Sequence, residues 1–121
     1  MRTIILDTNF ILTAVKNKLY FLDELAGDKI IIPDEVIYEL KSFENSKKKK
    51  HFKLDAELAL RILENKKYEK IKLGNKYVDK GIFSYAKKNP EVYIATLDKE
   101  IKSKFKGRIF TIVNRKKLEI V

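Results

Sequence analysis

The chain has 121 residues, 45% of them hydrophobic, and no cysteine, which predicts one compact domain over 1–121 and excludes disulfides, thiolate nucleophiles and cysteine zinc sites. Its single histidine, His51, lies inside the run KKKKHFK, which argues against a Ser-His-Asp triad or a histidine zinc site. The formal charge of +10 is uneven, with a net −3 over residues 1–45 and a net +13 over residues 46–121, and an excess of this kind favours an anionic partner, nucleic acid before membrane.

The elements follow in chain order. Residues 2–6 read as a buried strand, 8–16 and 19–26 as helices, and Gly27 ends the second. KIII (29–32) is a second apolar strand, and Pro33 opens a helix over 34–45. SKKKKH (46–51) is a charged, mobile break. The next helix runs 53–66 with Leu54, Leu58, Arg61 and Ile62 at helical spacing. EKIKL (69–73) is a weak third strand, closed by Gly74. A helix over 76–88 stops at Asn89 and Pro90, VYIAT (92–96) is a fourth strand, and a short helix over 98–105 ends before Gly107. RIFTIV (108–113) is a fifth strand, with LEIV (118–121) as a last edge. Alternating strands and helices predict an α/β sandwich with a mostly parallel sheet of about five strands, apolar throughout because both faces are covered. No apolar run approaches the roughly 20 residues that span a bilayer, and the amino terminus does not resemble a secretory signal, so a cytoplasmic protein without membrane contact is expected.

Ligands of such sheets bind beyond the carboxyl ends of the strands, near the point where strand order reverses. Asp7 follows the first strand and Asp98 the fourth. In the helix PDEVIYELKSF the apolar stripe is Val36, Ile37, Leu40 and Phe43. At about 100° per residue Glu39 borders that stripe, while Glu35 lies further toward solvent. Asp79 borders the core face of the helix KYVDKGIFSYA in its first turn. Each acid has a plainer role. Asp7 and Asp98 suit helix N-caps, Asp79 suits a helix dipole, and Glu39 could pair with a lysine. Yet the topology brings all four toward one end of the sheet. Converging carboxylates repel and raise one another's pKa values, which divalent cations relieve. Oxygen-only ligation suits Mg²⁺ or Mn²⁺, and such ions activate water and neutralise charge on a phosphodiester without a histidine.

With ILDTNF at the start, then PDEVIYEL, YVDKGIFSYA and VYIATLDKE in this order, the chain resembles the PIN-domain ribonucleases over nearly its whole length. The resemblance implies a three-layer α/β/α sandwich with sheet order 3-2-1-4-5, which makes the strands before Asp7 and Asp98 neighbours. It implies an acidic catalytic and metal site of Asp7, Glu39, Asp79 and Asp98 holding Mg²⁺ or Mn²⁺, with Thr8, Asn9 and Thr96 orienting the acids. It implies endonucleolytic hydrolysis of RNA. The TLDKEIKSKF segment and basic tail resemble the archaeal rRNA-processing type more than the VapC toxins, although no zinc ribbon or RNA-binding appendage accompanies them. Candidate partners are therefore RNA, ribosomal precursor particles or an antitoxin, with a homodimer as a candidate assembly. Lys47, Lys48, Lys49, Lys50, Lys99, Lys102 and Arg108 are the candidate contacts to the RNA backbone, and Tyr77 and Tyr85 could stack on bases, although a helical aromatic is more often core. The competing classes are a non-catalytic RNA or ribonucleoprotein-binding module and a DNA nuclease.

Overall fold

The computed structural model describes residues 1–45 and 50–121, and for 50 and 51 the backbone alone. The elements are β1 (Thr3–Leu6), α1 (Thr8–Lys16), α2 (Phe21–Glu24), β2 (Lys29–Pro33), α3 (Asp34–Glu44), α4 (Lys50–Glu64), β3 (Glu69–Ile71), α5 (Val78–Lys88), β4 (Val92–Ala95), α6 (Lys99–Lys104), β5 (Ile109–Val113) and β6 (Lys117–Ile120). The short apolar runs become strands because both faces of the sheet are covered. Ile4, Ile5, Leu6, Ile31, Ile32, Ile94 and Ala95 are all buried, with no polar alternation between them.

The sheet order is β3-β2-β1-β4-β5-β6. The first five strands are parallel, and β6 runs antiparallel to β5. The predicted order 3-2-1-4-5 is present, extended by a sixth strand. Asn114 and Arg115 both adopt positive φ, the backbone of a tight hairpin turn, and Lys116 N–H donates back to the Val113 carbonyl at 3.3 Å. That turn brings the last segment back along β5. Right-handed crossovers put α1 to α4 on one face and α5 and α6 on the other.

Two expectations about the helices, the extent of the second and the place of Glu35, need correction. The second helix is only Phe21–Glu24, because α1 ends in a left-handed turn at Lys18 in which Leu19 N–H donates to the Ala14 carbonyl at 2.9 Å. Phe21 then packs edge-on against Phe10 at 5.7 Å. The inward stripe of α4 is Ala56, Ala59 and Leu63, whereas Leu54 is 75% exposed and Leu58 also faces solvent. Small alanines let α4 lie close against α1 and α3, and the larger leucines turn outward. Glu35, expected toward solvent, instead accepts from the amides of Leu73 and Gly74, both at 3.0 Å. Gly74 makes that contact with φ of +69°, a conformation that suits glycine. Burial opposes the charge on Glu35, but the Leu73 and Gly74 amides and nearby Lys72 outweigh it and hold the carboxyl below its usual range. Most of the expected break, 46–49, including Lys47, Lys48 and Lys49, lies outside the described residues, as does the side chain of Lys50.

Strand order reverses between β1 and β4. Leu6 pairs with Ala95 in register, so the next residue on each strand emerges at the same carboxyl-end crevice. No helix among the described residues is long and apolar enough to cross a membrane.

Candidate active site

Asp7 enters the crevice as the direct continuation of β1, and its N–H still bonds the Ala95 carbonyl at 3.0 Å. The strand ladder thus fixes its backbone. Its carbonyl accepts from Ile11 N–H at 3.2 Å and so starts α1, but its side chain makes no capping hydrogen bond. The capping role is therefore absent at Asp7. The residue is 6% exposed. Burial pushes its carboxyl pKa up. The Thr96 hydroxyl and the amides of Asn9 and Thr8 act in the opposite direction, and the charge of Glu39 raises it further.

Thr96 is fully buried and joins the two strand ends. Its hydroxyl donates to Asp7 Oδ2 at 2.7 Å and accepts from Asp98 N–H at 3.1 Å. One side chain thereby sets the orientation of Asp7 and the backbone leading to Asp98. Asp98 is a true N-cap, because its Oδ1 accepts from Ile101 N–H at 2.9 Å. That bond engages Oδ1, and the residue lines the crevice.

Glu39 from α3 and Asp79 from the first turn of α5 reach the same cleft, of about 530 Å³, as Asp7 and Asp98. Among the described residues no cation pairs with Glu39. Asn9 also lines the cleft. Thr8 is buried, and its Oγ1 has no hydrogen-bond partner among the described residues. The wall nevertheless stays open. No three acidic or histidine side chains among the described residues stand in the arrangement that encloses a metal ion.

A carboxylate cleft at the reversal point of a 3-2-1-4-5 sheet is what the opening resemblance implied. The profile of the PIN-like domain matches residues 4–117. The chain belongs to the PIN-like domain family. Over 110 residues it is 34% identical to ribonuclease VapC4 of Methanocaldococcus jannaschii, a match covering 86% of this chain and 82% of that relative. It also resembles the structure of the PIN domain endonuclease Utp24 with a TM-score of 0.72, covering 98% of this chain and 92% of that one. At 24% identity this second likeness is one of fold.

The PIN-like cleft also contains side chains that sequence reasoning passed over. Asp55 of α4 lines it, as do Lys16 and Lys76. A signal for Asp55 existed. It lies on the helical face of Phe52, Ala56 and Ala59, where a lone carboxylate interrupts the inward stripe. Acids outnumber lysines on the cleft wall, in a chain whose formal charge is +10.

The expected RNA contacts are dispersed. Lys99 is exposed and Lys102 half-exposed on α6. The Arg108 guanidinium is committed elsewhere. It donates to the carbonyls of Pro90 and Ala86, the latter at 2.7 Å, and lies 4.9 Å from the Phe105 ring centroid. In this position it ties the end of α5 to the start of β5. Tyr85 is half-buried and packs against the core, whereas Tyr77 stands at the acidic cleft.

Proposed function

We propose that this PIN-like protein is a metal-dependent endoribonuclease that hydrolyses RNA phosphodiester bonds. The observation that carries the reading is the convergence of Asp7, Glu39, Asp79 and Asp98 on one cleft at the strand-order reversal. Similarity to ribonuclease VapC4 supports RNA as the substrate.

The donor chemistry of the cleft suits a hard divalent cation. The donors are carboxylate oxygens, the ligands preferred by Mg²⁺ and Mn²⁺. Asp7 is buried against the charge of Glu39, a cost that a cation offsets. Asp7, Glu39, Asp79 and Asp98 are the oxygen donors that would hold the ion once their side chains draw together on it, since no three of them among the described residues yet stand in an enclosing arrangement. When bound, such an ion lowers the pKa of water and neutralises charge on a transferring phosphoryl group. The chain's own groups prepare this site. The Thr96 hydroxyl engages one carboxylate oxygen of Asp7, Oδ2. The Ile101 amide does the same for Asp98. Lys16 and Lys76, on the cleft wall, provide the positive charge that admits a phosphodiester into an acidic cavity.

Within this activity, the basic segment beyond β4 favours RNA processing, with ribosomal precursor particles as the candidate substrate. Similarity to VapC4 favours a second reading, a toxin-type ribonuclease that pairs with an antitoxin. The decisive assay uses a labelled structured RNA and its DNA counterpart, with wild type and Asp7→Asn, in Mn²⁺, Mg²⁺ and EDTA. Cleavage of RNA by wild type alone, abolished by EDTA, is the expected result. RNA binding without turnover in every metal would replace the reading with a non-catalytic binding module, and preference for DNA would replace the substrate.

A further inference from the structure

Of the exposed tyrosines Tyr20, Tyr38 and Tyr77, only Tyr77 lines the acidic cleft. It is 54% exposed, so its ring offers a free aromatic surface two residues before Asp79. Its position is fixed from the backbone. The Tyr77 N–H donates to Asn75 Oδ1 at 2.9 Å, and its carbonyl accepts from Gly81 N–H at 3.0 Å as α5 begins. The side chain makes no capping hydrogen bond, so the helix does not require it. Two ammonium groups attend the ring. Lys80 Nζ lies 4.9 Å from its centroid and Lys76 Nζ 5.9 Å.

We propose that Tyr77 is a base-stacking platform that seats an unpaired nucleotide beside the carboxylates, with Lys76 and Lys80 gripping the adjoining phosphates. This inference rests on the ribonuclease reading and deepens it by assigning the part of the substrate that the cleft selects. The magnitudes favour exchange of partners. A cation over an exposed ring is worth less than a base stacked on it, so a base displaces the lysines, which turn to the phosphates the base brings with it. A base inside a continuous duplex has no free face to offer, so the platform selects unpaired nucleotides. The hydroxyl of Tyr77 has no part in this, and phenylalanine serves equally.

The test measures binding without catalysis, in EDTA, with two labelled probes. One is a single-stranded oligoadenylate of about ten nucleotides, and the other is an abasic ribose-phosphate strand of equal length. Tyr77→Ala should lose about ten-fold or more in affinity for the oligoadenylate and keep wild-type affinity for the abasic strand. Tyr77→Phe should bind both as wild type does. Lys80→Met should flatten the dependence of log affinity on log salt by about 0.7 for the single strand. Equal oligoadenylate affinity for wild type and Tyr77→Ala would overturn the platform and leave the ribonuclease reading intact. An equal loss on both probes would also overturn it, by showing a structural role. Binding of neither probe by wild type would overturn the platform, and the cleavage assay in Mn²⁺ and Mg²⁺ would decide the ribonuclease reading separately. Thermal melting of Tyr77→Ala, expected close to wild type, separates lost stacking from lost folding.

Discussion

Asp7 and Asp98 occupy the same place in the same local pattern: an apolar strand, an aspartate, then a helix. Their surroundings make them different groups. Asp98 spends one oxygen on the Ile101 amide and is a working N-cap, half-exposed to the cleft. Asp7 makes no side-chain capping hydrogen bond, is buried, and has its carboxyl pKa pushed up by that burial. Thr96 connects them, donating to the side chain of one and accepting from the backbone of the other. The difference arises from position in the sheet. β1 is flanked by β2 and β4, so its carboxyl end opens into the centre of the molecule. At Asp7 burial outweighs the Thr96 hydroxyl and the Asn9 and Thr8 amides that favour the charged form, whereas Asp98 is a working N-cap.

Substitutions sharpen this contrast, beginning with the largest effect. Asp7→Asn and Asp98→Asn should each lower RNA cleavage by about 10³-fold, the worth of several kcal/mol of metal-assisted stabilisation. Their stabilities should diverge. Because the folded-state pKa of Asp7 is raised, the stability that its protonated form contributes is fully present below the ordinary carboxylate range. That contribution is lost as pH rises through the folded value. In EDTA, Asp7→Asn should therefore melt higher than wild type at neutral pH, and the gap should close on acidification. Added Mg²⁺ should narrow it from the other side by stabilising wild type. A gap that ignores pH would remove the burial argument. Asp98→Asn should melt as wild type does, since asparagine also caps.

Thr96→Val tests the connection itself. It should reduce activity about 10- to 100-fold, the usual scale for a group that orients a ligand, while Thr96→Ser retains most of it. An active Thr96→Val enzyme would mean that the strand ladder alone positions Asp7.

The third smallest effect is one of packing. A Cβ on Gly81 would stand 2.8 Å from Leu73 Cβ and 3.3 Å from Asn75 Cβ, so Gly81→Ala must push α5, which carries Asp79, off the 73–75 segment. It should cost about 1–3 kcal/mol by chemical denaturation. Asp98→Ala, which removes the cap, should cost about 1 kcal/mol, while Asp7→Ala loses no cap. At the far end of β5, Arg115 holds φ of +67°, and Arg115→Gly should stabilise the hairpin by about 0.5–1 kcal/mol without changing cleavage. A destabilised Arg115→Gly would assign the arginine side chain a contact worth more than its backbone strain.

Much of the fold was legible because its signals are local. TIIL, KIII and VYIAT are short apolar runs with no polar alternation, which only a sheet covered on both faces accommodates. Pro33 and Gly74 punctuate the chain where the elements change. The inward stripe of α4 was not legible from side-chain size. Leu54 and Leu58 are the more apolar residues of α4, but close helix packing selected Ala56 and Ala59 for the interior and brought Asp55 to the cleft with them. Glu35 and Arg108 were unreadable for another reason, since their partners lie on segments distant in sequence.

The sequence by itself determined which residues could carry the chemistry: a chain without cysteine and with one histidine has carboxylates, and these sit at strand ends and helix edges. It also determined the alternation of strands and helices, because apolar periodicity is a property of neighbours along the chain. Tertiary structure decided how those carboxylates differ. Burial, the single hydroxyl of Thr96, and the approach of α3, α4 and α5 distinguish a cap from a charged group held in the interior. Those distinctions depend on dielectric and on contacts between distant segments, which no stretch of neighbouring residues encodes.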